Sequence, residues 1–132
     1  MKQLAAQPES VTKDQWSLLT VRADLPCSPD EYFDQSGPLK TVNDTRRRFH
    51  RIFLRSVAVI WNGETALAGY ARDVSRMGVG IYSPVQLFPG DIIHLGLPGK
   101  PPISLEITRC IRRRERCYEC GSVFRTATTT NP

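Results

Sequence analysis

Residues 55–74, RSVAVIWNGETALAGYARDV, contain the pattern that decides the fold. In its first half, residues favoured in strands occupy alternate positions: Val57, Val59 and Trp61. Such alternation is typical of one face of a β-strand, and the Asn62-Gly63 dipeptide that follows is typical of a tight turn between antiparallel strands. A second apolar stretch then runs to the end of the segment. The segment therefore predicts a β-hairpin, with Arg55 at the start of its first strand.

Four more short apolar runs follow and extend this hairpin into a larger sheet. They span residues 79–82, 91–97, 103–107 and 117–124. Proline, glycine or clustered arginine separates each run from the next, and Arg112 to Arg116 are expected to form the last turn. Six strands with turns roughly every dozen residues are typical of an all-β barrel or sandwich. We expect an antiparallel barrel, because closure removes the exposed edges of short strands.

Residues 1–45 lack this alternation and are predicted to form an N-terminal extension with one or two short helices. Residues 10–21 are the first candidate helix. Ser28 begins the second, because serine can cap a helix, Pro29 suits its first turn and Glu31 stands at the acidic position of a capping box. The sequence leaves open whether this extension packs on the barrel or on a partner.

Length and composition exclude several classes of protein. The chain has 132 residues, which corresponds to one domain with a short appendage. No apolar run reaches the roughly 20 residues that span a bilayer, and the first residues do not resemble a signal peptide, so we expect a cytoplasmic protein. The four cysteines are expected to be free, buried thiols on strands, without a metal, because a lone CxxC does not supply a zinc site.

Arginine provides most of the positive charge. The net charge is +5, and arginines cluster within residues 46–55 and 109–116. Such clusters are either solvated basic surfaces or anion sites, since a guanidinium can bind phosphate or guanine through two parallel hydrogen bonds. Arg47 and Arg51 are four residues apart, so in an extended segment they share one side and can form a clamp.

The turn after the predicted hairpin is the second candidate site. Asp73 offers acceptors for the N1–H and amino group of a guanine, Ser75 offers a hydroxyl, and Gly78 is expected to adopt a positive φ. No nucleophile–base pair and no glycine-rich phosphate loop accompanies these residues, which argues against an enzyme. The residues by themselves indicate a non-catalytic site for a guanine nucleotide.

Two motifs together, RxxxR at Arg47–Arg51 and DxSxxG at Asp73–Gly78, resemble the PilZ domain family. The resemblance implies a six-stranded antiparallel β-barrel, here residues 46–126, that binds the bacterial second messenger cyclic di-GMP in signal transduction. It implies neither enzymatic activity nor a cofactor. The extension of residues 1–45 is not part of the common family pattern, and the polar tail of residues 127–132 is predicted to be disordered.

The resemblance also implies the residues that contact the ligand. These are Arg46, Arg47, Arg51, Asp73, Ser75 and Gly78. The arginine clamp would hold guanine and phosphate, the Asp and Ser side chains would hold the other guanine edge on the barrel surface, and the glycine would shape the turn. Arg46 is included because a basic residue there accompanies an intercalated ligand dimer in this family. A second RxxxR frame, Arg51 to Arg55, is less favoured because Arg55 is expected in the strand.

The position of the clamp suggests how binding would be relayed. Ligand would order the junction before the barrel and move residues 1–45, which changes a surface read by an unidentified protein partner. Two alternatives remain: a small basic barrel that binds nucleic acid, and a PilZ-like protein-interaction module without ligand. Nucleic-acid binding is less favoured, because aromatic residues make up only 8% of the chain and are not clustered for base stacking.

Overall fold

The computed structural model describes residues 14–34 and 51–125 as two short helices followed by six strands. The helices are α1 (residues 14–18) and α2 (Pro29–Phe33); the strands are β1 (Ile52–Asn62), β2 (Thr65–Val74), β3 (Val79–Ser83), β4 (Ile92–Gly96), β5 (Ile103–Arg114) and β6 (Cys117–Phe124). Neighbouring strands are antiparallel, and the order β1-β2-β3-β6-β5-β4 closes into a barrel. The predicted all-β barrel with short N-terminal helices is confirmed. Neither helix of the described ranges is long and apolar enough to cross a membrane.

The hairpin predicted from residues 55–74 joins β1 to β2. Asn62 pairs with Thr65, so Gly63 and Glu64 form the turn. Gly63 adopts a φ of +68°, a left-handed conformation that glycine reaches without the steric cost of a side chain. The local turn chemistry therefore sets the pairing register of the two strands that later position the site.

Two strand boundaries differ from the prediction by more than one residue. β1 begins at Ile52, so Arg55 lies inside the strand rather than at its start. β5 continues to Arg114, so the turn expected at Arg112 to Arg116 shrinks to its last two residues, and Arg116 adopts a φ of 58°. The arginines at the end of β5 have exposed side chains while their backbone pairs with β6. Clustered charge does not interrupt a strand when the side chains reach water.

The barrel interior is filled by aliphatic side chains. Those with at most 3% exposure include Ile60, Leu67, Ile81, Leu87, Ile93, Leu95, Leu105 and Ile107. Each such side chain contributes about 1.5–3 kcal/mol when it leaves water. On β4, Ile93 and Leu95 point into this core while His94 between them is exposed, as the alternating pattern predicts.

Residues 14–34, hereafter the N-terminal segment, pack on the outside of the barrel. The amide of Ala23 donates to the carbonyl of Ala68 at 2.8 Å, and the amide of Ala68 donates to the carbonyl of Val21 at 3.0 Å. The amide of Asp24 donates to the carbonyl of Arg116 at 2.7 Å, which ties the segment to the β5–β6 turn. Of the two arrangements that the sequence left open, the described residues show packing on the barrel.

Helix α2 begins as predicted and anchors the N-terminal segment. Ser28 caps it, and the amide of Glu31 donates to the Ser28 hydroxyl at 3.2 Å. Tyr32 in this helix is fully buried, and its ring centroid lies 5.8 Å from that of Tyr70 and 5.9 Å from that of Tyr82. The capped turn therefore presents the buried Tyr32, with the partly exposed Phe33 beside it, to the outer face of β2 and β3.

Candidate functional site

A β-bulge between Ala71 and Asp73 brings two consecutive side chains of β2 to the same place. In a regular strand Arg72 and Asp73 would point to opposite faces. Here both reach Gly80 on β3, where an added Cβ would lie 2.7 Å from Oδ1 of Asp73 and 2.8 Å from Nη2 of Arg72. The missing side chain at residue 80 makes room for a cation and an anion side by side on the outer face of the barrel.

Arg51, the last residue of RxxxR, contacts the first residue of DxSxxG directly. Its Nη1 donates to Oδ1 of Asp73 at 2.8 Å. The Asp73 side chain is fully buried, whereas that of Arg51 is 17% exposed. Arg51 immediately precedes β1, and Phe53 of that strand lies opposite Asp73 on β2. The register of the first hairpin thus brings the two motifs together.

The contact belongs to a chain of alternating charges, which we call the Asp73–Glu119 network. Its members are Arg51, Asp73, Arg72, Glu119 and Arg113. Nη1 of Arg72 lies 3.2 Å from Oδ2 of Asp73 and 3.3 Å from Oε2 of Glu119. Nε of Arg113 donates to Oε1 of Glu119 at 2.7 Å. Three guanidinium groups face two carboxylates, so the network carries one excess positive charge and favours an anion.

Glu119 is held in its ionised form within this network. Burial raises the pKa of its carboxyl, but the hydrogen bond from Arg113 and the positive charge of Arg72 outweigh burial and leave the pKa below its usual value. The carboxylate in turn helps to hold Arg72 across β3, because Glu119 lies opposite Tyr82 in the β3–β6 pairing. The site therefore draws on β6 as well as on the two motifs.

Two atoms of the network have unmet hydrogen-bonding capacity. Among the described residues, nothing forms a hydrogen bond with Oδ2 of Asp73 or with Nε of Arg72, although both atoms are buried. Buried polar atoms are nearly always hydrogen-bonded, and exceptions call for an explanation such as a functional role. Together these two atoms offer one acceptor and one donor to a bound molecule once side chains such as that of Arg51 move aside.

The turn after β2 is closed by the remaining residues of DxSxxG. The amide of Ser75 donates to the carbonyl of Gly78 at 2.9 Å, and the amide of Met77 donates to the Ser75 hydroxyl at 3.1 Å. The expectation of a positive φ at Gly78 is wrong. Among the described glycines, Gly63, Gly90 and Gly99 have a positive φ, and Gly78 does not. Glycine is required at residue 78 because an added Cβ would lie 1.8 Å from the carbonyl oxygen of Ser122 on β6. The motif glycine permits close backbone contact between the turn and β6.

Arg55 links the region of the site to the N-terminal segment. Its guanidinium carbon lies 4.4 Å from the ring centroid of Phe53 and 4.4 Å from that of Tyr32. The Tyr32 hydroxyl donates to the carbonyl of Ala71, the residue before the bulge. Burial raises the pKa of Tyr32 despite the nearby charge of Arg55, so this hydroxyl remains protonated and can donate. Helix α2 is therefore attached to the same stretch of β2 that carries Asp73.

Four of the six predicted contact residues lie in the described part of the chain: Arg51, Asp73, Ser75 and Gly78. The first two are in direct contact, and the last two close the turn that follows. The aspartate is buried beneath its arginine partners rather than exposed on the barrel surface, because the bulge and residue 80 accommodate it there. Arg46 and Arg47 lie outside the described residues.

Two residues of the network, Arg72 and Glu119, were not predicted from the sequence. Arg72 directly precedes DxSxxG and faces outward by ordinary alternation from Ala71 in the core, which are signals that it lies near the site, but the bulge that turns Asp73 to the same face has no clear sequence mark. Glu119 reaches the site only through the pairing of β3 with β6, which requires the strand order. Within the described ranges, no three His, Cys, Asp or Glu side chains come together as metal ligands.

Comparison with known proteins assigns the chain to a family. The family model of the PilZ domain matches residues 45–131, which include the barrel and both motifs. None of the curated proteins compared with the chain matches it.

Proposed function

Because the chain belongs to the PilZ domain family, we propose that it is a receptor for cyclic di-GMP, a cyclic dinucleotide with two guanines and two phosphates. PilZ domains are generally non-catalytic receptors for this ligand. In the proposal the chain acts in the bacterial cytoplasm, binds through RxxxR and DxSxxG, and passes binding on to an unidentified protein partner as a conformational change.

The observation that carries the proposal is the 2.8 Å contact between Arg51 and Asp73. Residues 22 positions apart in sequence meet on the outer face of the barrel. A single small molecule bound there can therefore touch both motifs. Arg51 retains 17% exposure, so an incoming phosphate can reach its guanidinium without unfolding of the barrel.

Binding in this proposal is an exchange of partners. A phosphate of the ligand takes the guanidinium of Arg51 through two parallel hydrogen bonds. Asp73, released on that side, accepts from the N1–H and amino group of a guanine, and its Oδ2, which is ion-paired with Arg72 but accepts no hydrogen bond, provides the second acceptor. Arg72 stays beside the carboxylate and balances its charge during the exchange. The buried charges are thus never left without a partner, which would be costly.

The other predicted contacts complete the site in the proposal. Arg47 joins Arg51 as the second member of the clamp, and Arg46 contacts a second ligand molecule stacked on the first. Ser75 contributes its hydroxyl at the rim of the turn, and Gly78 keeps that turn against β6. The excess positive charge of the Asp73–Glu119 network steers the doubly anionic ligand toward this face.

The relay follows from the position of Arg55. Arg51 and Arg55 flank Phe53 at the start of β1, and Arg55 contacts Tyr32 of the N-terminal segment. When Arg51 turns toward a phosphate, the packing of this short stretch changes and the contact with Tyr32 changes with it. The N-terminal segment is the element whose movement a partner would recognise.

Calorimetric titration of the full chain with cyclic di-GMP tests the proposal. We expect saturable binding that weakens at least about tenfold in Arg47→Ala and Arg51→Ala, since each loses a charge-assisted hydrogen-bonded pair. Arg125→Ala is the matched control: it removes the same charge from an exposed ion pair with Glu106, 3.6 Å long, and should bind as the parent does. Two ligand molecules per chain would support the role given to Arg46.

Two further titrations separate the alternatives. Cyclic di-AMP, which lacks the guanine edges, should bind at least about tenfold more weakly than cyclic di-GMP. Tighter binding of a short single-stranded oligonucleotide would instead favour a nucleic-acid barrel. If no ligand gives a heat of binding, the result favours the protein-interaction module without ligand. If Arg51→Ala and the parent bind cyclic di-GMP with equal affinity, the proposed site is contradicted.

Hydrogen exchange tests the relay separately. With saturating cyclic di-GMP, we expect amide protection to rise in residues 40–55 and to change in the N-terminal segment. The amides of β4, on the other side of the barrel, should exchange equally with and without ligand. Unchanged exchange in both the junction and the N-terminal segment, under conditions where calorimetry shows binding, would contradict the relay but not the receptor.

A further inference from the structure

We propose that Cys110 and Cys120 are a redox-active thiol pair, which closes to an inter-strand disulfide on reaction with a small-molecule disulfide of the glutathione class. This is a modification site that does not depend on the proposed ligand. The four cysteines are free in the structure. Cys117 and Cys120 are buried on β6 as expected, but Cys110 on β5 is partly exposed, and Cys27 is partly exposed and lies outside the strands.

The two sulfur atoms of the pair lie close together, on backbone positions that a disulfide can bridge. Cys110 on β5 lies directly opposite Cys120 on β6. The Cys120 thiol donates to Sγ of Cys110 at 3.2 Å. Directly opposed residues of antiparallel strands have Cα atoms about 4.5–5.5 Å apart, within the range of about 4.4–6.8 Å that a disulfide bridges. Small side-chain movements therefore suffice, and the ladder between β5 and β6 can remain in place.

The structure also selects this pair over the one that the sequence suggests. Cys117 and Cys120 form a CxxC, but both lie on β6. Residues three apart on a strand point to opposite faces and are about 10 Å apart along it, so they cannot join without loss of the strand. Cys27 packs with the outer cluster around Tyr32 and Cys117, whereas Cys110 and Cys120 pack with the barrel core.

Their different surroundings give the two thiols different roles. Cys110 is partly exposed, and its Sγ accepts from the amide of Leu87 at 3.4 Å. Cys120 is fully buried, and burial raises the pKa of its thiol. Cys110 is therefore the sulfur that an external reagent reaches, and Cys120 is the resolving thiol that needs no access to solvent.

The reaction is an ordinary thiol–disulfide exchange in two steps. The Cys110 thiolate attacks one sulfur of the reagent, forms a mixed disulfide and releases one thiolate. Cys120, on losing its proton, attacks Sγ of Cys110, which forms the bond between the strands, breaks the mixed disulfide and releases the second thiolate. Two protein thiols lose two electrons and two protons, and the reagent takes up both to become two thiols.

Matched double variants of the full chain test the pair. Cys27→Ser/Cys117→Ser keeps the proposed pair, and Cys110→Ser/Cys120→Ser keeps the other two cysteines. With excess oxidised glutathione under native conditions, the first should lose about 2 Da, become resistant to alkylation, and recover both thiols with dithiothreitol. It should do so at least about tenfold faster than the second forms any internal disulfide. Equal rates, or two alkylatable thiols in the first variant, would overturn the proposal.

Two further measurements keep the result decisive if the buried Cys117→Ser change impairs folding. Cys120→Ser should stop at the mixed disulfide, with one glutathionyl group on Cys110. In the unmodified chain, cleavage after Glu119 separates the peptides of Cys117 and Cys120, so peptide mapping assigns the bond. A crosslink of Cys110 to Cys120 supports the proposal, and any other linkage contradicts it.

Discussion

Strands β3 and β4 are the same length but differ in how their outer faces meet solvent. On β4, Ile93 and Leu95 are buried while Ile92 and His94 are exposed. On β3 all five residues are buried, although only alternate residues face the barrel core. Tyr82, on the outer face of β3, is 6% exposed. The barrel therefore has an uncovered side that obeys simple alternation and a covered side that does not.

What covers β3 explains the difference. Helix α2 packs Tyr32 against Tyr82, and the side chains of Arg72 and Asp73 extend over Gly80. The covered side contains the Asp73–Glu119 network and the attachment of the N-terminal segment. The buried outer face is thus the part of the barrel where ligand binding at the two motifs is proposed to alter the packing of the N-terminal segment.

The largest effect is expected for Tyr32→Ala. The change removes a fully buried aromatic ring together with its hydrogen bond to the carbonyl of Ala71, so the free energy of unfolding should fall by about 3 kcal/mol. Phe33→Ala, at a side chain that is 43% exposed, is the control and should cost about 1 kcal/mol or less. Denaturant unfolding measures both. Equal losses would mean that α2 is not integral to the covered side.

Asp73→Ala should have the next largest effect. It removes the carboxylate partner of Arg51 and one of the two carboxylate partners of Arg72, and because both arginines are partly exposed we expect a loss of about 2 kcal/mol in the free energy of unfolding. Glu106→Ala removes a carboxylate from an ion pair on the uncovered side, where both partners are more than 40% exposed, and should cost about 0.5 kcal/mol or less. Similar losses in the two variants would show that coverage does not strengthen the network.

Gly80→Ala tests the space beneath the network. The added methyl would lie 2.7 Å from Oδ1 of Asp73, whose short, buried side chain cannot swing away, so we expect a loss of about 1–2 kcal/mol in thermal unfolding. At Gly121, opposite Gly80 on β6, the nearest atom is Nε of the flexible Arg109 side chain at 3.2 Å. Gly121→Ala should therefore cost less. The reverse order would place the tightest packing on β6 instead.

Glu119→Gln is expected to have the smallest effect, and one that depends on pH. The folded state lowers the pKa of Glu119, so its ionised form stabilises the fold at pH values above the unfolded pKa of about 4.3. This stability is lost as the pH falls through the folded pKa. The free energy of unfolding of the parent should exceed that of the variant by about 1 kcal/mol near pH 7, and this difference should shrink toward about pH 3. A constant difference in unfolding titrations would show that the charge of Glu119 is not responsible.

The strands and the site differ in how far the sequence could predict them. The strands and turns follow from local signals, such as the alternation before Asn62 and the left-handed glycine at residue 63. The contact of Arg51 with Asp73 was predictable because one hairpin joins the motifs. The contacts of Arg72 with Asp73 and Glu119 were not, since they depend on the bulge that turns Asp73 outward and on the pairing of distant strands. The buried state of Asp73 likewise depends on the bulge and on Gly80, which lies on another strand.

Arg55, placed between Phe53 and Tyr32, has a thermodynamic consequence beyond the barrel. If occupancy of the nucleotide site favours undocking of α2 by some factor, linkage requires that undocking of α2 raise the affinity for the nucleotide by the same factor. A protein that captures undocked α2 would then raise the affinity for the nucleotide, and one that clamps α2 in place would lower it. The nucleotide concentration that gives a response would thus depend both on the receptor and on the protein that binds its N-terminal helices.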